Sequence, residues 1–175
     1  MERRTVVKSA PLILTSASAA FGYQANSKIR FGIIGTGGRG QYVGTLMAKD
    51  SNAQVTAICD RYADRIDGAK TKVPGADKAA TYRDYQKLLA DPNVDAVLIA
   101  TPVFLHPEHF EAAIEARKHI YCEKPLAISV EETRLVRDSY MPKKGKLATQ
   151  VGMQRHAYEL ASPEPDAAPL FLRMP

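Results

Sequence analysis

From Lys28 onward the apolar positions of the sequence alternate between two rhythms. Short unbroken apolar runs are followed by longer stretches in which apolar side chains return every three or four residues. Residues 29–34 form a compact run stopped by glycines, which predicts a buried first strand. Residues 40–49 carry Val43, Leu46 and Met47 at helical spacing, and 54–59 is a second β-rich run ending at Asp60. The same reading predicts a polar helix over 61–72, a short strand over 79–82, and a helix over 83–90 with Tyr85, Leu88 and Leu89 on one face. Asp91-Pro92-Asn93 is a turn signal, and 94–100 after it is the strongest strand pattern in the chain. A helix lined by Phe110, Ala113, Ile114 and Arg117 follows, then strand 119–122, helix 130–140 and a last strand over 147–151. Six apolar runs with five intervening helices imply an α/β fold, a doubly wound parallel sheet covered on both faces.

Composition leaves that picture intact. The 175 residues give room for one ordinary domain, and 45% apolar with 25% charged residues is the balance of a globular protein. The formal charge is +5, of which Arg3, Arg4 and Lys8 against Glu2 supply +2, leaving +3 for the remainder. That is too little to predict a nucleic-acid partner. Lys143, Lys144 and Lys146 lie around Gly145 and read as a solvated turn.

The two ends differ from the middle. Paired arginines at Arg3-Arg4, two apolar residues and Lys8 precede a small, apolar stretch over 10–21, an order that resembles a twin-arginine export signal. The apolar run is too short and too rich in Ser and Thr to span a bilayer. Residues 1–25 are therefore expected to act as a signal peptide, with cleavage after Ala19, Ala20 or Ala25, for a protein exported to the periplasm. If that reading fails, the protein is cytoplasmic. Ser162 to Pro175 carries four prolines without a period, so 153–175 is expected to be an irregular tail.

The chemistry begins at Gly35-Thr36-Gly37-Gly38-Arg39-Gly40, a G-x-G-x-x-G pattern placed between a predicted strand and a predicted helix. Gly35 allows the tight turn, Gly37 lets backbone N–H groups approach a pyrophosphate, and Gly40 lets helix and strand pack closely. The unpaired N–H groups and dipole of the helix N-terminus favour the anion. Asp60, 20 residues beyond Gly40, stands where a carboxylate accepts hydrogen bonds from adenosine ribose hydroxyls. The reading is a Rossmann dinucleotide-binding domain over 28–152. Asp60 favours NAD, while Arg61 beside it is able to meet a 2′-phosphate and leaves NADP open.

Three further segments narrow the class. Ile99-Ala100-Thr101-Pro102 with His106, then His119-Ile120-Tyr121-Cys122-Glu123-Lys124-Pro125-Leu126-Ala127, and Val151-Gly152-Met153-Gln154-Arg155 closely resemble the N-terminal half of the Gfo/Idh/MocA oxidoreductases. That family takes in glucose-fructose oxidoreductases and inositol dehydrogenases. The resemblance implies that Lys124 acts catalytically beside the nicotinamide and the reacting hydroxyl of a sugar or polyol substrate. It implies that Glu123 helps hold the cofactor, that Pro125 enforces a sharp turn with a cis Lys124–Pro125 peptide, and that His106 lies close to the cofactor. Thr101-Pro102 and Lys124-Pro125 both follow carboxyl ends of predicted strands, where open α/β sheets collect ligands. A solvated histidine on a first helical turn is the other reading of His106. No metal is expected, because His106 and His109 with Glu108 and Glu111 lack the H-E-x-x-H spacing.

Members of the family continue into a second α/β domain that covers the nicotinamide, supplies an acid–base histidine and often forms a homo-oligomer contact. Beyond Arg155 this sequence offers His156 and the proline-rich tail, which predicts a truncated or frame-shifted product. Three functions follow: hydride transfer on a sugar or polyol, an NAD-dependent glycosidase of the same ancestry, or a non-catalytic dinucleotide-binding fragment. Strand order 3-2-1-4-5-6 also sets Cys59 and Cys122 three strands apart, roughly 14 Å at ~4.8 Å per step, so both are expected as free buried thiols.

Overall fold

The computed structural model describes residues 28–153. The signal-peptide reading of 1–25, and the tail reading of 153–175 apart from Met153, lie outside the described residues. Six parallel strands, β1 (Ile29–Ile34), β2 (Ala53–Cys59), β3 (Ala80–Tyr82), β4 (Ala96–Ile99), β5 (His119–Glu123) and β6 (Thr149–Gly152), form one sheet in the order β3-β2-β1-β4-β5-β6. Five α-helices connect them: α1 (Gly38–Ala48), α2 (Ala63–Lys72), α3 (Tyr85–Leu89), α4 (His106–Glu115) and α5 (Val130–Tyr140). The predicted doubly wound architecture is present, and the crossover from β3 through β4 puts the reversal of strand order between β1 and β4.

Alternation within the central strand β4 explains why its sequence is apolar throughout. On β4, Ala96 and Leu98 face one side of the sheet while Val97 and Ile99 face the other. The first pair joins Phe31, Ile33, Val43, Met47, Ile66 and Ala69 beneath α1 and α2. The second joins Leu88, Leu89, Phe110, Ala113, Ile114 and Val136 beneath α3, α4 and α5. A strand buried on both faces has no polar position to spare, and all four residues of β4 are buried.

Several boundaries move inward from their predicted places, each for a local reason. The helix predicted over 61–72 starts at Ala63, because the Tyr62 N–H donates to Asp60 Oδ1 at 3.1 Å and holds 60–62 in a turn. The helix predicted over 83–90 starts at Tyr85, capped by Asp84, whose Oδ1 accepts from the Gln86 N–H at 2.9 Å. Arg117 was expected on a helix face; it lies past the end of α4 with φ 58°, its N–H donating to the Ile114 carbonyl. By contrast α5 has its predicted bounds, set by a capping box between Ser129 and Glu132.

Candidate functional site: a glycine-loop crevice at the carboxyl end of the sheet

The site is built at the mouth of β1. Gly35 has φ +90°, a region closed to most side chains, and a methyl group there would meet the Ala100 and Thr101 backbone at 2.8 Å. A methyl on Gly40 would collide with the Gly35 carbonyl oxygen, so α1 can approach the turn only as glycine. Gly37 and Gly38 are different: nothing lies within 4 Å of the Gly38 position, and at Gly37 only the Arg65 guanidinium comes near, at 3.9 Å. Their bare backbone faces a cleft of about 550 Å³ that also takes in Arg39, Arg65, Thr101 and Pro102. The first turn of α1, beginning at Gly38, directs N–H groups without helical acceptors toward this space.

Asp60 organises the loop from behind. It is only 8% exposed, and its Oδ2 accepts from the Thr36 N–H at 2.8 Å and from Thr36 Oγ1 at 3.3 Å. Oδ1 accepts from Tyr62 N–H, which leaves one acceptor position on that oxygen for an outside donor. Thr36 is itself fully buried. The acid and the loop are therefore one hydrogen-bonded unit, and the sequence spacing of 24 residues between them is closed by the β1–β2 pairing.

The other half of the crevice comes from β4 and β5. Glu123 ends β5 with a 6% exposed side chain, and Arg39 Nη2 from α1 stands 2.9 Å from its Oε1, off the line of a hydrogen bond. This ion pair ties the glycine-loop helix to β5, two strands away from β1. Gly152 on β6 makes room for the carboxylate, since a Cβ there would lie 2.9 Å from Glu123 Oε1. Lys124 and Pro125 follow in an exposed turn with a cis peptide between them. Thr101 Oγ1 is 3.0 Å from His109 Nδ1, and the His109 ring packs against Tyr85 at 4.3 Å, tilted by 50°. Burial pushes His109 below the ordinary histidine range; Glu108 pulls it up and His106 pushes it down further.

The sequence-predicted residues thus converge, with three exceptions. Gly37, Gly38, Arg39, Thr101 and Pro102 share the cleft, Gly35, Thr36, Gly40 and Asp60 support it, and Glu123 is joined to it by Arg39. Arg61 and Lys124 are exposed and are not among the residues lining the cleft. His106 is 1% exposed and points inward, with Nδ1 2.8 Å from the Pro125 carbonyl and Nε2 2.9 Å from the Thr101 carbonyl. Sequence reasoning missed Arg65, which lies over the Tyr62 ring at 4.8 Å and beside Gly37. Its position one helical turn into α2, just past the acidic residue, is the signal that would have found it.

A parallel sheet that reverses at β1/β4, a bare glycine loop and an acid bound to that loop define a dinucleotide-binding Rossmann domain. The residues fit the group: the cleft is lined by main chain where a pyrophosphate needs donors, and Asp60 keeps one free acceptor position beside it.

Comparison with known proteins agrees. Residues 29–152 match the model of an oxidoreductase family described as having an NAD-binding Rossmann fold, and the chain belongs to this Gfo/Idh/MocA family. It is 38% identical over 128 residues to the inositol 2-dehydrogenase/D-chiro-inositol 3-dehydrogenase of Shouchella clausii, covering 73% of this chain and 36% of that protein. It is 38% identical over 108 residues to the myo-inositol 2-dehydrogenase of Thermotoga maritima, covering 59% and 30%. Among solved structures, scyllo-inositol dehydrogenase of Lactobacillus casei with bound NAD(H) and scyllo-inositol aligns with TM-score 0.68 and 26% identity, over 74% of this chain and 37% of that one. The chain spans about a third of the length of the curated relatives it matches.

Proposed function

We propose that this chain is the cofactor-binding part of an NAD-dependent oxidoreductase that transfers hydride to or from a carbinol carbon of a polyol or sugar. The observation that carries the reading is the unit formed by Thr36 and Asp60 under a glycine loop whose Gly37 and Gly38 stand open to the cleft. The dehydrogenase names of the relatives support the substrate class. NAD bound here supplies a hydride acceptor at its nicotinamide ring. The chain's own contributions are distinct. Main-chain N–H groups at the start of α1 hold the diphosphate, and the open Oδ1 position of Asp60 takes a ribose hydroxyl. A 2′-phosphate on that ribose meets the Asp60 charge, which favours NAD over NADP. Glu123, already neutralised by Arg39, borders the nicotinamide end. Lys124, exposed beside it, holds its ammonium against the substrate oxygen, where a positive charge would stabilise the alkoxide left when the hydroxyl proton departs, the species that becomes the carbonyl as hydride passes to the cofactor.

Calorimetry with NAD, then absorbance assays with a panel of inositols and sugars, tests this. NAD binding with reduction on at least one polyol is the expected result. Sugar release without net cofactor reduction would instead make the protein an NAD-dependent glycosidase, and binding without turnover on any substrate a dinucleotide-binding fragment. Residues 1–25 serve export by the twin-arginine route in the same proposal. A reporter fused to them should reach the periplasm, and Arg3→Lys with Arg4→Lys should hold it in the cytoplasm.

A further inference from the structure

The two turns that close the nicotinamide end of the crevice come from different strands and share no backbone ladder beyond Ile99 and Cys122. One side chain joins them. His106, first residue of α4, reaches the Thr101 carbonyl after β4 with Nε2 at 2.9 Å and the Pro125 carbonyl after β5 with Nδ1 at 2.8 Å. Both oxygens are acceptors only. A neutral imidazole has one N–H and one lone pair, so it can satisfy one of these carbonyls and must turn a lone pair on the other. At 2.8 or 2.9 Å that second contact is repulsive. Rotating the ring by half a turn would place two carbons against the oxygens and forfeit both bonds.

We infer that His106 carries a proton on each ring nitrogen and is the positioning residue that sets the spacing between the Thr101-Pro102 and Lys124-Pro125 turns. The two bonds to main-chain carbonyls hold the ring between the turns. Around it the titratable and charged groups are Glu108 and His109 on α4, Tyr85 of α3 packed against His109, and Glu123 and Lys124 beside Pro125. The turn over 101–105 brings no charge. His109 is kept neutral by burial, which removes the nearest competing cation on the same helix. The consequence for chemistry is indirect: His106, 1% exposed and turned inward, fixes the turn from which Lys124 projects. This part of the inference rests on the dinucleotide reading above; the protonation does not.

Nitrogen-15 NMR of the histidine-labelled full chain at neutral pH reads the ring directly. The expected spectrum shows two protonated, slowly exchanging nitrogens for His106, assigned by their loss in His106→Asn. One bare nitrogen would overturn the inference. The second arm compares NAD with ADP, which lacks the nicotinamide end, in the wild type and in His106→Asn. The wild type should favour NAD roughly ten-fold, and the variant should bind the two about equally while keeping its ADP affinity, a loss worth one or two hydrogen bonds. Equal weakening of both ligands would reduce His106 to a packing residue and defeat the positioning role. Should His106→Asn fail to fold, His106→Gln serves the same comparison. A wild type that binds neither nucleotide defeats the dinucleotide reading and the positioning role with it, whereas the protonation is then decided by the spectrum alone.

Discussion

Removing the carboxylate at Asp60 would leave the Thr36 and Tyr62 N–H groups without their acceptor, one of them beneath a fully buried residue. An orphaned buried donor costs about 1–3 kcal/mol, so Asp60→Ala should lose roughly that much stability in a urea titration and lose NAD binding together with it. An Asp60 that acted only on ribose would give weaker binding with unchanged stability. This double duty marks the limit of what the sequence discloses. The spacing from Gly40 to Asp60 identified the acid, because a fixed strand–helix–strand length puts it at the end of β2. That its oxygens face the loop depends on the β1–β2 register, a long-range fact with no local signature. The same holds for Arg39 and Glu123, 84 residues apart and joined through space, and for His106, whose two partners are main-chain atoms that no residue type announces.

At the scale of the element, α4 carries one pH dependence. Its His109 is held neutral below the ordinary range by burial. A base with a lowered folded-state pKa leaves stability intact above its unfolded value and erodes it as pH falls, because the unfolded chain then binds a proton that the folded chain refuses. The window therefore opens below about pH 6.5. The stability advantage of the wild type over His109→Gln should be greatest at pH 7 and shrink toward pH 5 in denaturant titrations; an advantage constant with pH would contradict a neutral His109. Helix interiors were legible because apolar residues recur at helical spacing on α1 and α4, whereas the capping box of Ser129 and Glu132 that sets the start of α5 went unread. Helix ends were less so. Asp60 and Asp84 each bind an N–H two residues on, which delays α2 and α3, and whether an aspartate caps or turns is decided by which backbone it meets.

Across the whole molecule, strand order makes a chemical prediction. Cys59 on β2 and Cys122 on β5 are both buried and free, separated by β1 and β4 in the sheet. Burial, with Asp60 and Asp84 beside Cys59 and Glu123 beside Cys122, pushes both thiols up to about 12. At pH 8 only roughly one thiol in ten thousand is then a thiolate, so neither should react with iodoacetamide until the protein is unfolded. Rapid native labelling, or an intramolecular disulfide, would be incompatible with this sheet. The topology itself was legible because six apolar runs separated by amphipathic stretches admit few right-handed arrangements, and the glycine loop fixes which run comes first. The wall of the cleft that α2 supplies was not, since Arg65 enters it from a helix that the glycine-loop pattern does not include.

The central claim is that the mouth of β1 receives a dinucleotide, and a titration of NAD into the nitrogen-15-labelled chain tests it most directly. Amide shifts should move first at Gly37, Gly38 and Arg39, then at Asp60, Thr101 and Lys124, and remain still along β3 and at the far end of α5. Movement confined to any other surface, or no movement at millimolar NAD, would contradict it.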